Sequence, residues 1–387
     1  MFSFTIQHRD RKTKARTGIL NTSHGTIHTP AFIPVATQAT VKALTPAQLQ
    51  EIGFDALLCN TYHLYLRPGE RTVKKLGGLH QFMGWKKSLF TDSGGFQVFS
   101  LNKKLCTVND DSVEFQSHID QSKHVFTPEK SMQIQRDLGA DLIFAFDECL
   151  DIQADYETTR RSLARTHAWE LRSLKAFQKL NKDKKQALYG IVQGGRFKEL
   201  RQESAKFIAA LPFDGIGIGS IFGDPKEESQ RLVAHSLRYM PVDKPRHLLG
   251  IGSVDDLFAY VEMGIDTFDC VLPTRLARVG YFYITPQSGG TVKNKFRQRI
   301  INSQFKDDKH PLDVSCRCYV CTNFSRAYIR HLFKAEELLA YTLVTYHNLW
   351  FFQKLMEEMR ENIEKDTMGK MKKKWVNVRA MVIRSDD

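Results

Sequence analysis

One short phrase recurs in this 387-residue chain and limits its fold more than any other feature: a helical pattern, then Gly-x-Asp, then an apolar run. It stands at Gly53-Phe54-Asp55, at Gly139-Ala140-Asp141 and at Gly264-Ile265-Asp266. A glycine closing a helix reads as a C′ cap, because it enters the left-handed region without a Cβ penalty. The apolar runs are short and unbroken rather than alternating, as expected of parallel strands buried on both faces.

Eight such runs are present, at 31–36, 56–60, 88–92, 142–147, 187–193, 215–220, 247–252 and 267–273. Helical patterns separate most of them, at 45–53, 128–139, 197–211, 225–240 and 253–264. Alternating strands and helices give an α/β fold, and eight units predict a (β/α)8 barrel. The alternative, an open doubly wound sheet, lacks a glycine-rich dinucleotide fingerprint after the first run. Two segments break the rhythm. Residues 97–127 read as a β excursion with a turn at Val108-Asn109-Asp110-Asp111, and residues 281–323 lead into a cysteine cluster.

A barrel collects its chemistry at the C-terminal ends of its strands. Those ends carry Asn60, Asp92, Asp147, Gln193 and Asp269, which predicts five polar groups over one mouth. The net charge of +13 points to a polyanionic partner such as nucleic acid. The N-terminus lacks an apolar export core, and no apolar run approaches the ~20 residues of a spanning helix. The seven cysteines are odd in number, and Cys59, Cys149 and Cys270 sit in apolar runs. That pattern fits buried thiols in a reducing cytoplasm better than a disulfide framework.

Cys316, Cys318 and Cys321 are too closely spaced to be core residues together, and the spacing suits zinc. Cys106, His331 and His347 are candidates for the fourth ligand. His347 is preferred because its apolar and aromatic neighbours imply burial, and a buried imidazole needs a partner. Three Cys and one His make a closed site, hence a structural ion.

Asp92 stands before the turn Ser93-Gly94-Gly95, which lets backbone approach a ligand, and Phe96 can stack on a flat ring. A carboxylate at Asp147 can accept the paired N–H groups of a guanine-like edge, and the Gln193 amide both donates and accepts. The glycines at 215–219 expose backbone for the opposite edge. Asp269 is followed by Arg275 and Arg278, an acid beside guanidiniums, which suits an anionic substrate. An ion pair at the strand end is the alternative. Two carboxylates near an anomeric carbon are the equipment of retaining glycosyl chemistry, here on a nucleoside.

Several motifs in order make the chain resemble the tRNA-guanine transglycosylases of bacterial type. They are N-T-Y-H-L at 60–64, R-P-G at 67–69, T-D-S-G-G-F-Q at 91–97, F-D-E-C at 146–149, Q-G-G at 193–195, F-D-C-V-L-P-T-R at 268–275 and the C-x-C-x2-C…H cluster. The resemblance implies a TIM barrel with an inserted zinc-binding subdomain near the C-terminus, and a homodimer. The barrel core would span 1–280, the zinc-binding part 281–365, and a basic tail 366–387. It implies exchange of the wobble guanine in GUN-anticodon tRNAs (for Asp, Asn, His and Tyr) for a 7-deazaguanine base. Asp269 would be the nucleophile that forms a covalent ribosyl-enzyme, and Asp92 the proton donor and acceptor. Asp92, Ser93, Gly94, Gly95, Phe96, Asp147, Gln193, Gly219 and Leu249 would bind the base. Gly250, Ile251, Gly252, Ser253, Val254, Asp255 and Asp256 would hold the anticodon, with Thr274, Arg275, Leu276, Ala277 and Arg278. One Zn2+ would sit on Cys316, Cys318, Cys321 and His347.

The chain departs from the family pattern in one pocket loop. The usual G-G-L-(A/S)-V-G-E-P-K is replaced by Ile218-Gly219-Ser220-Ile221-Phe222-Gly223-Asp224-Pro225-Lys226, and Ser253 stands where lysine is common. That loop borders the 7-substituent, so the incoming base stays open between 7-aminomethyl-7-deazaguanine and queuine. Three rival readings remain. An archaeosine-type enzyme normally carries a C-terminal RNA-binding extension. A non-catalytic tRNA-binding homologue would be expected to have lost acids that are retained here. A nucleic-acid-free glycosidase would leave the charge unexplained.

Overall fold

The computed structural model describes residues 2–101, 106–221 and 225–376. Phe222, Gly223 and Asp224 of the pocket loop, and residues 377–387 of the basic tail, lie outside the described residues.

Strands β1 (Ser3–Arg9), β2 (Arg16–Thr22) and β3 (Gly25–Thr29) form an antiparallel sheet. The closed parallel barrel follows: β4 (Ala31–Ala36), β5 (Ala56–Cys59) and β6 (Ser88–Thr91), then, after an excursion, β10 (Leu142–Phe144), β11 (Ala187–Val192), β12 (Gly215–Ile218), β13 (Arg246–Leu248) and β14 (Thr267–Cys270). β14 pairs back onto β4 in parallel register, Phe268 opposite Phe32, which closes the ring. All eight predicted runs are barrel strands, each shorter than or equal to its apolar run. The excess residues turn the polar strand ends into the mouth.

Each strand alternates between two cores. Ile33, Val35, Leu58, Phe90, Phe144 and Ile191 fill the barrel interior, and Leu20 and Ile27 of the N-terminal sheet join the same cluster. Phe32, Leu57, Leu89, Ile143, Leu188 and Ile216 face the surrounding helices. β12 is the exception, because its inward positions are glycine. A Cβ on Gly215 would lie 2.3 Å from Tyr189 Cζ, and one on Gly217 3.1 Å from Phe144. These two glycines make room for aromatic rings of the core. Of the 215–219 glycines only Gly219 reaches the mouth, which corrects the expectation that the whole stretch is presented to a ligand.

The Gly-x-Asp phrase has a two-part structural meaning. Gly53, Gly139 and Gly264 all adopt left-handed φ, at 103°, 79° and 86°. Two of the aspartates accept a backbone N–H from the neighbouring strand: Asp141 from Leu89 at 2.9 Å and Asp266 from Arg246 at 2.7 Å. Asp266 also receives Arg16 through two guanidinium contacts of 2.8 and 2.6 Å, fully buried. That fork fastens the N-terminal sheet to the barrel floor.

The excursion opens with a helix, Gly95–Leu101, rather than a strand. A three-stranded antiparallel sheet follows: β7 (Cys106–Val108), β8 (Val113–Gln116) and β9 (Lys123–Phe126). The Asn109 side chain accepts from the N–H groups of Asp111 and Ser112, which makes the expected turn. After the barrel come the hairpin β15 (Tyr281–Tyr283) and β16 (Arg297–Arg299) and a set of helices. The longest, Leu338–Glu364, is buried along most of one side. It packs its Phe352 ring 4.8 Å from Phe32 of β4.

Candidate active site

A cavity of about 460 Å³ opens at the C-terminal ends of the strands. Val35, Leu58, Phe144 and Ile191 make its floor. Asn60, Asp92, Asp147, Gln193 and Asp269, one from each predicted strand end, all line its wall.

Asp92 follows β6 and is held by the next turn over. Thr61 N–H donates to Oδ1 at 2.9 Å, Asn60 Nδ2 to Oδ2 at 2.5 Å, and Gln97 Nε2 to Oδ2 at 3.3 Å. Burial pushes its carboxyl up to about 7, against the pull of the Thr61 N–H, and the charge of Asp269 adds to the rise. Asn60 is therefore a holder of Asp92 rather than a group free to read a ligand. Its Oδ1 also caps the helix Thr61–Leu66 by accepting from His63 N–H.

Asp147 and Gln193 sit side by side, both buried. Gln193 Nε2 donates to Asp147 Oδ2 at 2.6 Å, and Ser93 Oγ to Oδ1 at 3.0 Å. Burial raises the Asp147 carboxyl to about 6 despite these donors. Gln193 Oε1 is buried and has no hydrogen-bond partner among the described residues, an acceptor beside a carboxylate. A guanine edge carrying adjacent N–H groups matches that pairing. Gly219 passes so close that a Cβ there would stand 2.6 Å from Gln193 Nε2. Buried Arg201 clamps this loop through the carbonyls of Gly219 at 3.0 Å and Ser220 at 2.9 Å, and Ser220 has a left-handed φ of 51°. Phe96, about half exposed, and Leu249 border the opening.

Asp269 ends β14. Its side-chain partner is His247 of β13, whose Nε2 lies 3.0 Å from Oδ1, and among the described residues it makes no ion pair with Arg275 or Arg278. Gly250 N–H also donates to the same oxygen at 3.0 Å. Arg275 lines the cavity from the short helix Leu272–Ala277, and its side chain is exposed. Burial and the charge of Arg275 hold Arg278 below the ordinary guanidinium range, so an anion between them would relieve both.

The other positions expected to hold RNA are placed unevenly. Val254, Thr274 and Ala277 are buried and present almost no surface to a ligand, which corrects the expectation that they touch RNA directly. Gly252 packs onto Cys270, where a Cβ would lie 2.5 Å from the cysteine Cβ. Lys226 ties down Ser253 at 2.8 Å, Asp255 at 2.6 Å and Asp256 at 3.0 Å. Gly250 reaches the cavity, whereas Ile251 and Leu276 are half-buried against the core.

Far from the mouth, Cys316, Cys318 and Cys321 surround His347. Nδ1 lies 3.8, 3.6 and 3.3 Å from the three sulfurs. A tetrahedral zinc with bonds of ~2.3 Å to sulfur and ~2.0 Å to nitrogen sets that separation at ~3.5 Å. His347 Nε2 donates to the Tyr283 carbonyl at 2.7 Å, which fixes the tautomer with Nδ1 as ligand. His331 is exposed on its helix and Cys106 lies in β7, and neither joins the cluster.

A sequence profile of the family described as queuine tRNA-ribosyltransferase matches residues 10–381. The queuine tRNA-ribosyltransferase of Caldanaerobacter subterraneus subsp. tengcongensis is 50% identical over 374 residues, 96% of either chain. That of Thermoanaerobacter pseudethanolicus is 50% identical over 368 residues, 95% of either chain. That of Dictyoglomus turgidum is 46% identical over 374 residues, 96% of this chain and 94% of the relative. With the barrel, the convergent acids and the Cys3His cluster already in place, these near full-length matches mean that the chain belongs to the queuine tRNA-ribosyltransferase family.

Proposed function

We propose that the chain exchanges the wobble guanine of GUN-anticodon tRNAs for a 7-deazaguanine by double displacement through a ribosyl ester on Asp269. One observation carries the reading: Asp269, Asp92 and the Asp147–Gln193 pair line the same cavity. The family membership supplies tRNA and a guanine-type base as the substrates.

In the first half, Asp269 forms a bond to C1′ as the C1′–N9 bond breaks, and its electron pair leaves with guanine. Guanine is a poor leaving group unless protonated. Asp92, with a carboxyl near 7, holds a proton to give at neutral pH. In the second half the incoming base returns a proton to Asp92 and its nitrogen takes C1′, freeing the Asp269 carboxylate. One N-glycoside replaces another, so no external energy is needed. Asp147 and Gln193 hold the base edge, and Ser93, Gly94, Gly95, Phe96, Gly219 and Leu249 complete its slot. Arg275 and Arg278 hold the anticodon phosphates, with the backbone of Gly250, Ile251 and Gly252.

Cys316, Cys318, Cys321 and His347 would hold one structural Zn2+, which cross-links the chain and takes no part in the reaction. The homodimer carries over from the resemblance, the cytoplasmic location from the cysteine pattern, and the division at about residues 280 and 365 from the break in the strand–helix rhythm and the zinc-binding part that follows it. Retention of the three acids favours catalysis over a non-catalytic tRNA-binding role. Incubation with radiolabelled guanine and a GUN anticodon stem-loop tests the reading. Label should enter the RNA, and should fail to do so with Asp92→Asn. Absence of label in wild type would leave the non-catalytic role or an archaeosine-type enzyme. A preference for D-loop substrates would favour an archaeosine-type enzyme.

A further inference from the structure

His247 is fully buried inside the barrel, directly beside the proposed nucleophile. Its ring lies 5.7 Å from that of Phe90 and 5.2 Å from that of Phe144. Neither ring can satisfy a polar nitrogen. Both nitrogens are nevertheless engaged: Nδ1 with Thr267 Oγ1 at 2.9 Å and Nε2 with Asp269 Oδ1 at 3.0 Å. An ionised carboxylate only accepts, so Nε2 carries the proton and donates, while Nδ1 pairs with the Thr267 hydroxyl, which can donate or accept. Oδ1 thus receives two donors, from His247 and from Gly250 N–H. Among the described residues no donor is recorded on Oδ2.

We propose that His247 is a positioning residue. With the Gly250 N–H it holds Oδ1 of Asp269, leaves Oδ2 as the attacking atom, and stabilises the carboxylate each time it leaves C1′. The inference rests on Asp269 being the nucleophile. In the first step an Oδ2 lone pair forms the bond to C1′ as guanine departs with the N9 pair and a proton from Asp92. Oδ1 becomes the ester carbonyl oxygen, still facing both donors. In the second step the incoming base forms its bond to C1′ and gives its proton to Asp92, and the C1′–Oδ2 pair returns to the carboxylate. Negative charge reappears as the transition state is passed, and the two preset donors favour it. Thr267 holds the other ring nitrogen and so fixes the ring orientation that this requires.

The test compares His247→Asn with His247→Gln in the full-length, zinc-loaded chain. An asparagine amide reaches about as far as Nδ1, and a glutamine amide about as far as Nε2, so only the second replaces the donor to Asp269. The readouts are guanine exchange at saturating tRNA, KM for tRNA, and the fraction of enzyme carried as covalent tRNA adduct on a denaturing gel. Loss of one hydrogen bond to a charged group predicts an exchange rate about ten- to a hundredfold lower in His247→Asn. KM for tRNA should barely change, and the adduct fraction should rise because departure of the carboxylate slows. His247→Gln should recover most of the rate. Wild-type exchange in His247→Asn would overturn the proposal, as would equal losses in both variants with an unchanged adduct fraction. Absence of any adduct in wild type would instead overturn the role of Asp269 itself, and this inference with it.

Discussion

Asn348 Nδ2 donates to the Pro273 carbonyl at 3.1 Å and thereby joins the zinc-side helix to the segment that follows Asp269. The same amide nitrogen reaches the Tyr281 carbonyl at 3.0 Å, and its Oδ1 accepts from Tyr283 N–H at 3.0 Å. Asn348 is fully buried, and its neighbour His347 holds the Tyr283 carbonyl. Asn348→Ala leaves buried backbone groups unpaired. It should cost about 1–3 kcal/mol per group orphaned and lower the melting temperature measurably. Exchange at a temperature well below the transition should also fall, because the helix carrying Arg275 loses its tether.

Removal of the Cys3His ion should act on the same connection from the other side. Cys318→Ala, or a strong chelator, should release the cluster and expose residues 281–337 to limited proteolysis. The barrel should survive, since its interior core draws on β2–β6, β10 and β11. Cleavage first inside the barrel helices would contradict this.

Asp147 should make the protein's stability depend on pH. Its carboxyl is held at about 6, above the ordinary value of 3.8. The folded chain therefore binds a proton that the unfolded chain has already released between these values, and stability falls as pH rises through that window. Asp147→Asn removes the contribution. Relative to wild type, the variant should gain up to roughly 2–3 kcal/mol between pH 4 and pH 7 while losing base recognition. Chemical denaturation of both proteins at the two pH values measures the difference.

Arg275→Ala should weaken tRNA binding without abolishing exchange at saturating RNA. One lost phosphate contact should flatten the plot of log affinity against log salt by about one ion. An unchanged slope would remove Arg275 from the RNA surface.

Buried parallel strands are unbroken apolar runs, and this is why all eight barrel strands are legible in the sequence. The polar residues closing them, Asp92, Asp147, Gln193 and Asp269, meet in one cavity because barrel strands end on one face. Other features are hidden for identifiable reasons. The helix Tyr156–Leu180 turns Thr159, Ser162, Thr166, Glu170 and Ser173 inward, so its buried stripe is largely polar and lacks the apolar period of a helix. His247 begins an apolar run and reads as its edge. Only the alternation of β13, which puts Leu248 outward, shows that it points into the barrel beside Asp269. Arg201 and Asn60 act on other groups, through the loop carbonyls and through Asp92, and no spacing rule announces such contacts.

The most direct test is the mass of the enzyme itself after incubation with a GUN anticodon stem-loop and rapid acid quench, followed by peptide mapping. The expected result is an RNA-sized adduct on the peptide containing Asp269, absent in Asp269→Asn and retained in Cys270→Ala. An adduct on Asp92, or guanine exchange that persists in Asp269→Asn, would contradict the account.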